Sequence, residues 1–255
     1  TEIAGSKSHP TNLSWQVVES LPVSEVIKMG SHPRDEHIKA WIESMENLSE
    51  LGINVICYNF MPILDWTRTE LAAPMSSGAT AMYFDLLDFI AFDCFILERI
   101  NAQSDYEKQL VDVAKKRFEG FSKEKKSTLS KNITAGLPGA GEKLTFEEVK
   151  RRLEGYSGID ADKLRENFKY FLDAVVPTAE KLGVRLCCHP DDPPWPLLGL
   201  PRIMSTEEDY NWLVNIHPSK ANGITFCTGS LGASFENDLP GMVSRMGQHI
   251  HFLHL

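Results

Sequence analysis

The chain has 255 residues, of which 42% are hydrophobic and 24% charged, so it fits one large α/β domain and offers no case for disorder or a membrane span. Its net charge of −9 disfavours a nucleic-acid partner, because phosphate binding needs a clustered basic face. Five cysteines without regular spacing, and no signal-peptide pattern at residues 1–12, predict a reduced, cytoplasmic protein.

A strand, a helix and a second strand open the chain. Residues 15–20 are β-prone and carry a polar Glu19 near the C-terminal edge of the run. Apolar side chains recur at helical spacing over residues 34–51. Residues 53–60 are almost continuously apolar, as strands buried on both faces are. This order predicts one parallel β/α unit.

The segment after the second strand, residues 61–69, gathers an acid, an indole, two hydroxyls and a guanidinium beyond a strand end. One interpretation is a loop that faces a substrate. The other is a surface loop whose Trp66 is tucked into the core. The residues alone leave both open.

Helical periodicity dominates the middle of the chain, and we predict a mostly helical excursion at about residues 75–160. Within it, residues 135–141 read Ala-Gly-Leu-Pro-Gly-Ala-Gly, which is rich in turn-forming residues. The run lacks the lysine and the glycine spacing of a phosphate-binding loop, so we interpret it as a hinge or lid connector.

Three later strands are predicted to end in side chains that can bind a metal. The apolar run 184–188 stops at His189 because Pro190 cannot donate to a sheet ladder, residues 223–230 place Cys227 at a strand end, and residues 249–255 place His254 there. Singly, a strand histidine is more often a core residue and a buried cysteine a small hydrophobe. In a parallel barrel, however, successive strand ends share one rim, so the three predict a metal site.

The donor set indicates which ions fit. One thiolate with two imidazoles suits Zn, Fe(II) or a related ion, and an added carboxylate would allow Mn(II). Asp191 and Asp192 follow His189 in a stiff, proline-rich loop and could serve either the substrate or the surroundings of the ion. The carboxylate ligand is therefore left unassigned by the residues.

Four stretches of the chain resemble mannonate dehydratase of the hexuronate catabolic pathway. They read His189-Pro-Asp-Asp-Pro-Pro-Trp with Gly199-Leu-Pro-Arg-Ile, Ala221-Asn-Gly-Ile-Thr-Phe-Cys-Thr-Gly-Ser, Tyr58-Asn-Phe-Met-Pro-Ile-Leu-Asp-Trp-Thr-Arg-Thr, and Asn132-Ile-Thr-Ala-Gly-Leu-Pro-Gly. The resemblance implies a TIM-type (β/α) barrel of the xylose-isomerase-like kind and the cofactor Mn2+ or Fe2+. It also implies that His189, Cys227 and His254 are the metal ligands, and a homodimer is a further family-level expectation.

The resemblance also implies elements that this sequence does not contain. These are a strand before Trp15, further strands after Leu255, and an Arg-Pro-Asp-His-Gly motif that supplies an aspartate ligand and a neighbouring histidine. Five barrel strands are predicted where a closed barrel needs about eight. We therefore expect a single, incomplete barrel domain over residues 1–255, and we expect the sequence to be part of a longer gene product.

The resemblance implies a lyase that dehydrates D-mannonate to 2-keto-3-deoxy-D-gluconate, with the base and acid unassigned. For the sugar acid, the predicted contacts are Tyr58, Asn59, Asp65, Arg68 and Asp191. A divalent-metal sugar isomerase or epimerase is the alternative enzyme, since it uses the same barrel and the same proton abstraction. A catalytically silent sugar-acid-binding protein is the alternative outside enzymes.

Overall fold

The computed structural model describes residues 14–135 and 144–255, so the predicted connector at 135–141 lies outside the described residues except for Ala135. The strands are β1 (Val17–Glu19), β2 (Val55–Tyr58), β3 (Glu70–Pro74), β4 (Thr80–Tyr83), β5 (Arg185–Cys188), β6 (Asn222–Cys227) and β7 (Ile250–His254). The α-helices are α1 (Glu25–Met29), α2 (Arg34–Glu50), α3 (Leu86–Phe95), α4 (Lys108–Glu119), α5 (Lys123–Thr134), α6 (Phe146–Gly155), α7 (Ala161–Leu182), α8 (Glu207–Ile216), α9 (Thr228–Leu231) and α10 (Leu239–Met246).

The chain divides into two compact units. The first, here called the sheet unit, comprises Thr1–Phe60, Ala161–Pro194 and Ile203–Leu255. The second, here called the helical unit, comprises Met61–Asp160 and Trp195–Arg202. The predicted helical excursion, about 75–160, lies inside the helical unit. Among the described residues, no helix combines the length and apolar character that crossing a membrane requires.

Five parallel strands form the sheet of the sheet unit, in the order β1-β2-β5-β6-β7. Cys57 pairs with Cys187, Cys187 pairs with Gly223, and Cys227 pairs with His254. The sheet is curled as part of a TIM-type barrel, so the predicted α/β fold class is confirmed. The register brings the C-terminal ends of β5, β6 and β7 to one rim.

Aromatic side chains fill the space between the sheet and two of its helices. Trp41 of α2 and Phe171 of α7 pack edge to face at 5.1 Å, and Phe168 of α7 stacks on Phe60 at 4.2 Å. Burial of each such ring contributes roughly 1.5–3 kcal/mol. The helix layer is therefore held to the sheet mainly by apolar packing, which leaves the strand ends free for polar residues.

Helix α8 follows the proline-rich loop that carries Asp191 and Asp192, here called the acid-rich loop, and it begins with a side-chain cap. The Thr206 hydroxyl accepts a hydrogen bond from the Asp209 N–H at 3.2 Å, and the Asp209 carboxylate accepts one from the Thr206 N–H at 3.0 Å. This reciprocal capping box satisfies two backbone donors that the helix itself cannot.

The helical unit contains α3 to α6 and a two-stranded antiparallel sheet, β3-β4, whose second strand lies within the range predicted to be helical. A turn from Met75 to Ala79 joins the strands, and Gly78 adopts a φ of 85° there. All four residues of β4 are exposed. Because β4 lacks a buried face, its sequence lacks the alternation by which a half-buried strand is recognised.

Candidate metal centre

Three side chains at the rim of the sheet unit meet at one point. His189 follows β5, Cys227 ends β6 and His254 ends β7, and their ligand atoms all lie within 4.8 Å of one another. The rings of His189 and His254 are 5.2 Å apart between centroids. Donors that are distant in sequence are thus brought together by strand register, as the sequence predicts.

His189 presents one ring nitrogen to this point. Its Nδ1 lies 2.7 Å from the Pro190 carbonyl oxygen, which can only accept, so Nδ1 carries the proton of this hydrogen bond. In the neutral ring, Nε2 then has the free lone pair. Burial lowers the pKa of His189, but the hydrogen bond to Cys227, the charge of its thiolate and the hydrogen bond to the Pro190 carbonyl together raise it.

Cys227 is held as a thiolate. Burial opposes ionisation, yet hydrogen bonds from His189 and from the Ser230 hydroxyl and backbone lower the pKa of the Cys227 thiol to about 6. The thiolate is the form of cysteine that binds metal ions. By contrast, burial raises the pKa of Cys94, in the helical unit, to about 11.

Ser230 links the thiolate to the acid-rich loop. Its hydroxyl lies 2.8 Å from Asp192 Oδ2 and 3.3 Å from Cys227 Sγ. A hydroxyl has one proton, so it donates to only one of these acceptors at a time. Asp192 is therefore not one of the three converging donors and lies behind them, in contact with Ser230. A place in the surroundings of the ion is one of the two roles that the sequence leaves open for Asp192.

His254 contacts Glu19, a residue to which the sequence pattern assigns no role in the site. Its Nε2 lies 2.8 Å from Glu19 Oε2, although 235 positions separate the two residues. Glu19 is the last residue of β1 and so occupies a strand end, as the predicted ligands do. The strand-end position was the signal that could have identified it.

The donor set fits a divalent transition-metal ion. Metal–nitrogen and metal–sulfur bonds are about 2.0–2.3 Å long, so donors around one ion lie roughly 3–4.5 Å apart, close to the observed spacing. Two imidazoles and a thiolate are ligands that iron and zinc accept. His189, Cys227 and His254 would hold such an ion, and Ser230, Asp192 and Glu19 would surround it.

Tyr58 lies in the core and not at the rim, which corrects its prediction as a substrate contact. The tyrosine ring has no exposed surface and packs against Trp41, Phe168 and Phe171 on the helix side of the sheet. The preceding residue, Cys57, points into the barrel, where its Sγ lies 3.2 Å from Thr225 Oγ1. Because side chains alternate along a strand, Tyr58 points to the opposite face of the sheet, which the helices cover.

Asp191 closes the acid-rich loop on itself. Its Oδ2 accepts hydrogen bonds from the Met204 N–H at 2.7 Å and the Ser205 hydroxyl at 3.0 Å, and only 1% of the residue is exposed. These contacts tie the start of the loop to the residues before α8. The structure thus shows a loop-holding role, and the predicted contact with a sugar hydroxyl remains a prediction.

The remaining predicted substrate residues lie after β2. Asn59 is buried in the sheet unit, and Asp65 is half-buried in the helical unit. The Arg68 guanidinium lies 4.2 Å from the centre of the Trp66 ring and donates to the Thr67 carbonyl at 2.9 Å. Trp66 is half-buried, so neither the exposed nor the core interpretation describes it fully.

Comparison with known proteins places the whole described chain in one family. The family D-mannonate dehydratase (UxuA) matches residues 5–255. A mannonate dehydratase of Rhizobium meliloti is 48% identical over 95% of this chain and 60% of its own length, and mannonate dehydratase 1 of Agrobacterium fabrum is 50% identical over the same shares. The crystal structure of mannonate dehydratase from Streptococcus suis serotype 2 superposes with a TM-score of 0.68 and 31% identity, covering 95% of this chain and 56% of that one.

The chain spans about three fifths of the length of the curated relatives it matches. The match nevertheless extends over nearly all of the sequence in hand and includes all three converging donors. The chain belongs to the D-mannonate dehydratase (UxuA) family.

Proposed function

We propose that the protein is a metal-dependent lyase that dehydrates D-mannonate to 2-keto-3-deoxy-D-gluconate. The observation that carries the proposal is the meeting of His189, Cys227 and His254 at one rim of the sheet, in a chain that belongs to this family. A barrel rim is where enzymes of this fold bind their substrates. The relatives named mannonate dehydratase supply the substrate class.

The donor set favours an anionic substrate. Of the three donors, only Cys227 contributes a negative charge, so they do not neutralise a divalent cation. When bound, such an ion supplies charge stabilisation to the substrate carboxylate and to the negative charge that develops beside it. The residual positive charge suits a sugar acid better than the neutral sugar of an isomerase.

Dehydration of a sugar acid needs two proton transfers. A base removes the proton from C2, next to the carboxylate, and an acid protonates the C3 hydroxyl, which leaves as water. The contacts described above position the three metal-binding side chains and stabilise the loop after β5. We assign neither the base nor the acid among the described residues. Asn59, Asp65, Arg68 and Asp191 remain proposed substrate contacts.

We propose Mn2+ or Fe2+ as the ion. The thiolate and imidazoles suit Fe2+, whereas Mn2+ prefers a site completed by a carboxylate. Metal analysis of the purified full-length protein distinguishes these ions from Zn. A reducing compartment is consistent with five free cysteines, and we propose the cytoplasm on this ground.

Product analysis tests the function. The full-length protein, incubated with D-mannonate and Mn2+, should release a 2-keto-3-deoxy acid, whereas an isomerase or epimerase would release a product of unchanged mass. Cys227→Ser should abolish turnover, and Cys94→Ser, a matched change in the helical unit, should retain it. Turnover by Cys227→Ser at the wild-type rate would refute the ligand assignment.

A further inference from the structure

We propose that Glu19 is a positioning residue for His254: its carboxylate accepts the Nε2–H hydrogen bond and so keeps the ring in the form whose Nδ1 is free to bind the divalent ion. The inference deepens the proposed metal site and rests on it for the identity of the ligand. The part that concerns the tautomer stands on the contact between Glu19 and His254 alone.

The contact joins the two edges of the sheet. Glu19 ends β1 and His254 ends β7, which are the first and last strands in the sheet order. Glu19 Oε1 also lies 3.8 Å from Cys57 Sγ, which points into the barrel. The Glu19 carboxylate therefore reaches from one edge of the sheet to the imidazole at the other, while 39% of its side chain stays exposed.

The chemistry of the pair fixes the position of one proton. An ionised carboxylate has no proton to donate, so the 2.8 Å contact requires a proton on His254 Nε2. The lone pair of the neutral ring then lies on Nδ1. His189 shows the opposite arrangement, because its Nδ1 donates to the Pro190 carbonyl and its Nε2 is the nitrogen left to face Cys227. Each imidazole thus has one nitrogen held by an acceptor and one available as a ligand.

The positions of the donors favour this role over direct ligation. Among the described histidines, cysteines and carboxylates, the group whose ligand atoms all lie within 4.8 Å of one another comprises His189, Cys227 and His254, without Glu19. Glu19 is close to the imidazole of His254 but is not part of the converging set. Carboxylates that accept from a ligand histidine in this way orient the ring and raise its basicity.

Two measurements on the full-length protein test the proposal. The first is the Mn2+ dissociation constant of Glu19→Ala and Glu19→Gln, from competition with a chelator. We expect about 10- to 100-fold weaker binding by Glu19→Ala, the usual cost of losing such a partner. Glu19→Gln should bind with intermediate affinity because its amide oxygen still accepts the hydrogen bond. Glu207→Ala, which removes a surface glutamate paired with Arg245, is the control and should bind as the wild type does.

The second measurement is the tautomer of His254 in the metal-free protein, read from the nitrogen chemical shifts of the ring. We expect the Nε2–H form in the wild type and Glu19→Gln, and a mixture of both forms in Glu19→Ala. If no form binds Mn2+, the proposed function fails, but the tautomer still tests the role of Glu19. An unchanged tautomer in Glu19→Ala refutes the proposal, as does Mn2+ affinity within twofold of wild type. Should Glu19→Ala not fold, a Glu19→Gln protein with mixed tautomers would refute it.

Discussion

Polar side chains are used differently at the rim of the sheet unit and in the helical unit. At the rim, the donors come from three strands, and a thiolate and two imidazoles place their ligand atoms within 4.8 Å of one another. In the helical unit, Arg99 donates to Asp93 at 2.9 and 2.7 Å and to Asp105 at 2.6 Å, each six residues away. Tyr106 adds a further hydrogen bond to Asp93 at 2.7 Å. The helical cluster is therefore an ion-pair network that is compensated internally, whereas the rim cluster is a set of donors suited to a metal ion.

Sequence separation explains part of this difference. Pairs six residues apart cost little entropy to bring together, so they are suited to fixing local structure. Donors 38 and 27 residues apart meet only because the sheet register brings their strand ends together. We therefore expect substitutions at the rim to affect ligand binding more than folding, and substitutions in the helical cluster to do the reverse.

The largest expected effect is the loss of metal binding in His189→Ala. Removing an inner ligand should weaken Mn2+ binding by more than about 100-fold, beyond the usual cost of losing an outer partner. The free energy of unfolding without metal should change by about 1 kcal/mol, because the residue lies at a strand end outside the aromatic core. Equilibrium dialysis and urea denaturation measure the two quantities.

The exposed His37 on α2 provides the matched control, and His37→Ala should change neither quantity. Unaltered Mn2+ binding by His189→Ala would refute the proposal that His189 is a metal ligand.

The next effect is the loss of stability in Asp93→Ala. Asp93 has no exposed surface and Arg99 is 14% exposed, so the substitution leaves a largely buried guanidinium without its main partner. Breaking a buried pair in this way costs about 3–5 kcal/mol. Asp112→Ala, at an exposed position of α4, should cost no more than about 0.5 kcal/mol.

Mn2+ binding should survive in Asp93→Ala under conditions where the protein is folded. A loss of Mn2+ affinity as large as that of His189→Ala would show that the two clusters are not separate in function.

A third effect links Mn2+ binding to the free energy of unfolding. Because the unfolded chain lacks the rim site, Mn2+ at about 100 times its dissociation constant should stabilise the wild type by about 2.7 kcal/mol. Asp93→Ala should gain the same increment from a lower baseline, and His189→Ala should gain almost none. Thermal unfolding with and without Mn2+ gives these increments. Equal stabilisation of all three proteins would place the ion elsewhere.

Much of the fold was predictable because the strands that build the sheet are apolar and end at clear signals. Pro190 ends the run at His189, and the five predicted barrel strands are the five strands of the parallel sheet. The short strand β4 was not predictable in this way, because it is exposed and is held by a hairpin turn instead of a buried face.

The convergence of His189, Cys227 and His254 was predictable from strand-end position, but the contacts that each of them makes were not. Glu19 contacts His254 across 235 positions, a distance that sequence spacing does not predict. Ser230 contacts Cys227 from three residues away because residues 228–231 form a short helix, which the sequence did not indicate. Tyr58 was misplaced because a strand end was taken as a rim position without its facing direction. The contact of Cys57 with Thr225 shows that direction, and it emerges only when the strands are paired.

The smallest expected effect concerns a helix cap in the helical unit, Asp85, and its dependence on pH. Asp85 caps α3 by accepting from the Asp88 N–H at 3.0 Å and accepts from Arg117 at 2.8 Å. Burial opposes its ionisation, but these hydrogen bonds lower the pKa of the Asp85 carboxyl. Loss of a cap costs about 1 kcal/mol, so Asp85→Ala should lower stability by this amount at pH 7.

The sign of the pH dependence follows from the lowered pKa of Asp85. Its charged form contributes stability above the unfolded pKa of about 3.9, and this contribution is lost as the pH falls through the lower folded value. Asp85→Asn keeps a capping oxygen but has no charge, so its deficit relative to wild type should be smaller than that of Asp85→Ala and should shrink in acid. Urea denaturation at neutral and acidic pH measures both deficits. Mn2+ affinity in both variants should equal that of the wild type. A stability deficit of Asp85→Asn that grows in acid would contradict the stabilising role of the ionised Asp85 carboxylate.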